Sequence, residues 1–137
     1  MDPRTIQARI RQILAGDPHG IVAAYLFGSV ARGGSAPPAD VDLAVLYAHT
    51  PPPRLDSLPI ALQGALERAL GVAVDIVVLN RASADLVHRV LRDGVLVLDR
   101  DRSTRIRFEV QKRNEYFDLL PLLRRYRRSD VARGSER

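Results

Sequence analysis

The 137-residue chain contains no cysteine and no tryptophan, and only one of its 21 basic residues is a lysine, Lys112. Without thiols there is neither a disulfide framework nor a thiolate metal centre, and a cytoplasmic setting is expected. No stretch approaches the roughly 18 apolar residues of a membrane span. The start, Met1-Asp2-Pro3-Arg4, lacks the apolar core of a signal peptide. Histidines are few and scattered at 19, 49 and 88, a spacing that suits neither zinc nor a catalytic triad, so all three are expected on the surface. With no histidine placed to activate it, Ser29 is not a nucleophile. Aromatic residues make up only 5%. The basic run Arg124-Arg125-Tyr126-Arg127-Arg128 holds a single aromatic, thin provision for stacking nucleic-acid bases.

What remains is an ordinary globular composition, 46% apolar and 27% charged. The length fits one domain with one real core. Charge is divided along the chain. Residues 1–99 hold 9 arginines against 10 acids, and residues 100–137 hold 12 basic residues against 6 acids, so the net charge of +5 sits in the last third. That basic tail suits a solvated helix face, or a surface for nucleic acid, an acidic partner protein or a nucleotide phosphate.

The periodicities divide the chain into alternating helices and strands. Asp2-Pro3 opens a helix over residues 3–15 with Ile6, Ile10, Ile13 and Leu14 on one stripe, and Gly16 stops it. Ile21 to Phe27 reads as a buried strand ending at Gly28-Ser29, and Val41 to Tyr47 reads as a second strand. Between them Gly33-Gly34-Ser35-Ala36-Pro37-Pro38 is a breaker-rich loop. Leu55, Leu58, Leu62, Leu66 and Leu70 mark a helix closed by Gly71. A third strand follows over Val72 to Leu79, a helix capped by Ser83 runs to Arg92, and Val95 to Leu98 is a short fourth strand. A helical tail begins near residue 101–103, with Pro121 expected to kink or restart it and residues 129–137 expected to be disordered. The fold class is therefore α/β (α+β), one small mixed sheet flanked by helices over residues 1–128.

The chemistry gathers around two short stretches. The apolar strand runs into Gly28-Ser29, ten residues intervene, and Asp40-Val41-Asp42 opens the next apolar run. Side chains at i and i+2 of a strand share a face, so Asp40 and Asp42 stand side by side, where a cation would relieve their repulsion. A Gly-Ser turn can hold a phosphate, because glycine admits close backbone approach and the following amides point at the anion. Arg32, about a helical turn further on, can meet phosphates or pair with an acid. Asp75 is a lone acid in an otherwise apolar strand, where a charge needs a partner. If the third strand lies beside the second, Asp75 joins the face of Asp40 and Asp42. Three carboxylates beside a phosphate-holding turn suggest a magnesium–nucleotide site, in which they hold two metal ions, or hold one and activate a hydroxyl.

This pattern, Gly28-Ser29, ten residues, then Asp40-x-Asp42, resembles the signature of the polymerase-β-type nucleotidyltransferases. The fuller Gly28-Ser29-Val30-Ala31-Arg32-Gly33 … Asp40-Val41-Asp42-Leu43 is similar to their minimal (MNT) branch, and the tail from Arg107 to Pro121 is similar to the C-terminal helices of MntA-like antitoxins. The resemblance implies a palm-like mixed sheet, ATP as substrate, two Mg2+ ions, and transfer of a nucleoside monophosphate to a hydroxyl. It implies Asp40 and Asp42 as metal ligands, Asp75 as the acid that helps activate the acceptor, and Gly28 and Ser29 as triphosphate contacts. Where the family usually has serine before the first acid, this chain has Ala39. At this length no acceptor domain is expected, so the acceptor site is expected to come from a partner. Small MNT proteins of this kind resemble antitoxins that place AMP on a tyrosine of a HEPN-family RNase toxin. Steric inhibition without catalysis, or a small-molecule nucleotidyltransferase working with a helical subunit, are the alternatives.

Overall fold

The structure, a computed structural model, describes residues 2–28, 40–52 and 59–135. Four helices and four strands follow one another as α1 (Pro3–Ala15), β1 (Ile21–Phe27), β2 (Asp40–Tyr47), α2 (Ile60–Leu70), β3 (Ala73–Val78), α3 (Ala84–Asp93), β4 (Val95–Asp99) and α4 (Arg102–Ser135). A short 3-10 turn, Leu79–Arg81, joins β3 to α3. The helix starts and stops follow local chemistry. The Asp2 carboxylate accepts from the Arg4 amide at 2.8 Å, and Pro3 fills the first helical position, where no amide is needed. Ser83 caps α3 by accepting from the Leu86 amide at 3.2 Å. Gly71 closes α2 with φ +72, in the left-handed region. The first turn of the expected second helix, Leu55 to Leu58, lies outside the described residues.

The sheet order is β3-β2-β1-β4. β1 is antiparallel to both neighbours, whereas β2 and β3 are parallel and α2 makes the crossover between them. Period-two alternation gives each face its own core. Val41, Leu43 and Val45 of β2 pack with Leu26 and Val74 against Ile6, Ile10 and Leu14 of α1 and Leu62, Leu66 and Leu70 of α2. On the other face Ala44, Leu46, Ala23 and Tyr25 meet Val87 and Val90 of α3, with Phe108 of α4 at the margin. Leu66 is fully buried, and burying such a side chain contributes about 1.5–3 kcal/mol.

The last helix departs from the sequence reading in two ways. It passes through Pro121 as one helix rather than restarting there, and it runs to Ser135, into the 129–137 tail expected to be disordered. A helical proline removes one amide donor, so one i→i−4 bond is lost, and the leucines and arginines on either side favour helix. Its first half covers the sheet through Phe108, while Phe117, Leu119, Leu122 and Tyr126 further along are exposed. Among the described residues no helix is long and apolar enough to cross a membrane.

Candidate active site

The antiparallel β1–β2 register sets Phe27 opposite Asp42, so the turn closing β1 lies against the acid-bearing start of β2. Gly28, next in the chain, has φ +75. A Cβ built there would overlap Asp42 Oδ2 and stand 3.3 Å from Asp42 Cγ. Glycine is thus needed twice, once for the backbone and once for the carboxylate that occupies the space of the missing side chain.

The parallel β2–β3 register sets Asp42 beside Asp75, and Asp40 beside Ala73. Asp40 and Asp42 share a face by the strand period, and Asp75 shares it by lateral pairing. It is the face that carries Ala44 and Leu46 toward α3. The adjacency expected of Asp75 is therefore present, but the reason given for it needs correction. Asp75 is not a buried charge: β3 is an edge strand and Asp75 is exposed, as is Asp40, whereas Asp42 is half-buried. An apolar run of Val and Ile looks the same in the sequence whether the strand is central or at an edge.

Electrostatics single out Asp42. Partial burial pushes its carboxyl above the ordinary aspartate value, and the neighbouring Asp75 and Asp40 push it further. Among the described residues, the charges acting on it are both negative. Among the described residues no group of three or more His, Asp or Glu side chains is drawn together tightly enough to hold a metal ion by itself. The carboxylates still fit magnesium in kind, being hard oxygen donors. Magnesium is ordinarily held by one or two carboxylates together with substrate phosphates rather than by an all-protein cage. Ser29, Arg32 and Ala39 lie outside the described residues.

A polar network on the same face was not legible in the sequence. Tyr25, buried in β1 two residues before Phe27, donates its hydroxyl to Glu109 Oε1 of α4. Arg105, one turn earlier, donates to the same oxygen from Nη1 at 2.9 Å. Its Nε lies 3.1 Å from Asp99 Oδ2, an ion pair rather than an aligned hydrogen bond. Burial, and then the Glu109 carboxylate, hold the Tyr25 hydroxyl well above the ordinary tyrosine value. Only the Arg105–Glu109 spacing hinted at this clasp, which joins β1, β4 and α4. The histidines are also corrected: His19 and His49 are exposed, but His88 is half-buried and stacks on Tyr116 with centroids 3.7 Å apart.

The family model "Polymerase beta, Nucleotidyltransferase" matches residues 8–103, well over half the chain and all of the sheet. The chain belongs to this nucleotidyltransferase family. Among solved structures, a toxin–antitoxin with AMP-PNP is 28% identical, with TM-score 0.75, covering 92% of this chain and 98% of that one. The tri-AMPylated Shewanella oneidensis HEPN toxin in complex with MNT antitoxin matches at 26% identity and TM-score 0.71, covering 95% of this chain and 98% of that one. A structure assigned as a minimal nucleotidyltransferase is 38% identical over 69% of this chain and 95% of its own, with TM-score 0.56. No curated protein matches.

Proposed function

We propose that this nucleotidyltransferase is the antitoxin of a HEPN–MNT pair, and that it silences its HEPN toxin by moving AMP from ATP onto a toxin hydroxyl, with a tyrosine as the expected acceptor. One observation carries the reading: Asp42 stands between Asp40 and Asp75 on an open face, with Gly28 giving up its side-chain space to the Asp42 carboxylate. A binding module would gain nothing from crowding like charges, whose mutual repulsion raises the proton affinity of Asp42. The solved relatives with AMP-PNP and with an AMPylated HEPN toxin support the nucleotide, the modification and the partner.

The proposed roles are those the family resemblance gives these residues. Asp40 and Asp42 would hold the two Mg2+ ions, which supply charge neutralisation at the triphosphate and lower the pKa of the attacking hydroxyl. Gly28 would let the backbone at the end of β1 approach the triphosphate, and Ser29 and Arg32 are proposed as further phosphate contacts. Asp75, exposed on the edge strand, accepts the acceptor's proton on a carboxylate oxygen. The acceptor oxygen forms its bond to the α-phosphorus as the bond to pyrophosphate breaks.

ATP labelled in turn at the α- and the γ-phosphate tests this with the purified toxin. AMP transfer carries the α-label into the toxin and leaves the γ-label in pyrophosphate. Incorporation of the γ-label would mean phosphoryl transfer instead. Incorporation of neither label, with the toxin still inhibited, would mean steric inhibition.

A further inference from the structure

Asp75 lies on a strand whose outer edge is paired with nothing among the described residues, because β3 is the last strand of the order β3-β2-β1-β4. Exposed edges are normally blunted by bulges, prolines, basic side chains or covering groups, since they template pairing with other chains. The rest of this sheet follows that rule. At the opposite edge, β4 has a register irregularity where it meets Ala24 and Tyr25, and Arg11 of α1 donates from Nε to the Val97 carbonyl at 2.8 Å. Beyond the end of β3, the exposed side of β2 is closed by Asn80. Its side chain accepts from the Tyr47 amide at 2.9 Å and donates to the Tyr47 carbonyl at 3.0 Å, imitating a paired strand.

Among the described residues, β3 carries no bulge, proline, basic side chain or covering side chain, and Asp75 is its one charge. Ala73-Val74-Asp75-Ile76-Val77-Val78 has no proline or basic residue. Its six residues keep an unbroken register with β2, from Asp40↔Ala73 to Val45↔Val78. Its single charge, Asp75, sits beside Asp42 on the face of the three acids. Among the described residues, the edge left open is thus the one that adjoins the reacting groups.

We infer that the β3 edge is the acceptor-docking surface, and that its occupant is an extended, hydroxyl-bearing segment of the partner polypeptide added to the sheet as a fifth strand beside Asp75. This inference rests on the transferase reading above and deepens it. Main-chain pairing with β3 supplies affinity with little regard for sequence, and the strand period decides which side chains face the acids. A residue of the added strand lying laterally beside Asp75 presents its side chain on the face of Asp42, as Asp75 itself does. Its neighbours on either side turn away to the α1–α2 face. One hydroxyl in each pair of residues is thereby selected, and no acceptor domain is needed.

Residue-resolved amide exchange tests this on the isotope-labelled full chain, alone and with stoichiometric HEPN toxin, without nucleotide. Docking slows alternate β3 amides, those facing outward, by about tenfold or more, while β4 amides stay unchanged. Protection confined to α4 or β4, or β3 amides that do not change, overturns the inference. A separate incubation with ATP and magnesium reads AMP addition to the toxin by mass. AMP addition without β3 protection removes the edge inference and keeps the transferase. Alternating β3 protection without AMP addition keeps the docking edge and removes the transferase.

Discussion

Gly28 and Asp42 are in such close apposition that the carboxylate occupies the space a Gly28 side chain would need. The turn that ends β1 and the acid that begins β2 are therefore one unit, and the Gly-Ser and Asp-x-Asp parts of the motif cannot vary independently.

Gly71 provides an internal control for that statement. It has φ +72 against +75 at Gly28, but nothing lies within 4 Å of a Cβ built on it. Gly71→Ala should cost only the backbone term, about 1 kcal/mol. Gly28→Ala adds displacement of Asp42 and should abolish AMP transfer while the fold survives. Denaturant melts and transfer assays on the two variants make the comparison. Equal loss of activity in both would remove the special role of Gly28.

The raised proton affinity of Asp42 predicts a pH and cation dependence. Because the folded-state value lies above the ordinary 3.8, this group favours the fold at and below that ordinary value, and its contribution is lost as pH rises through the shifted value. In a chelator at pH 7, Asp42→Asn should therefore be slightly more stable than wild type, by less than about 1 kcal/mol, since the site is open to water. Adding Mg2+ with ATP should stabilise wild type and leave the variant behind. Melting curves with and without Mg2+–ATP show whether the order reverses.

The Tyr25–Glu109 bond should behave as a high-pH element of stability. Tyr25→Phe leaves Glu109 with Arg105 alone and should cost about 1–2 kcal/mol at pH 8. The folded hydroxyl titrates above its ordinary value of 10.0, so its contribution is present below pH 10 and fades as pH rises beyond it. The gap between wild type and Tyr25→Phe should accordingly narrow from pH 8 to pH 11 in urea titrations. A gap that does not change with pH would place the effect in packing rather than in the hydroxyl.

The contrast between Tyr25 and Asp75 shows what the sequence makes legible. Strands bounded by Gly28 and Gly71, helices capped by Asp2 and Ser83, and the Asp40–Asp42 pair are local, because backbone periods and capping chemistry act over a few residues. The placing of Asp75 beside Asp42 was also within reach, since a parallel crossover through α2 brings the third strand to the second. Its exposure was not, because edge and centre look alike in a run of valines. The clasp from Tyr25 to Glu109 spans 84 residues of chain, and no spacing rule reports a contact at that separation. The stacking of His88 on Tyr116 was hidden for the same reason. Pro121 does not restart the helix, because it costs one hydrogen bond in a run that otherwise favours helix.

The central claim is that Asp40 and Asp42 serve transfer rather than structure, and intact-mass analysis of the toxin tests it most directly. Toxin incubated with the wild-type chain, ATP and Mg2+ should gain one or more AMP-sized additions. Toxin incubated with Asp40→Ala/Asp42→Ala should gain none, even though that variant still folds and still binds the toxin. An unmodified toxin that both proteins inhibit equally would contradict the account and leave an antitoxin that acts by contact alone.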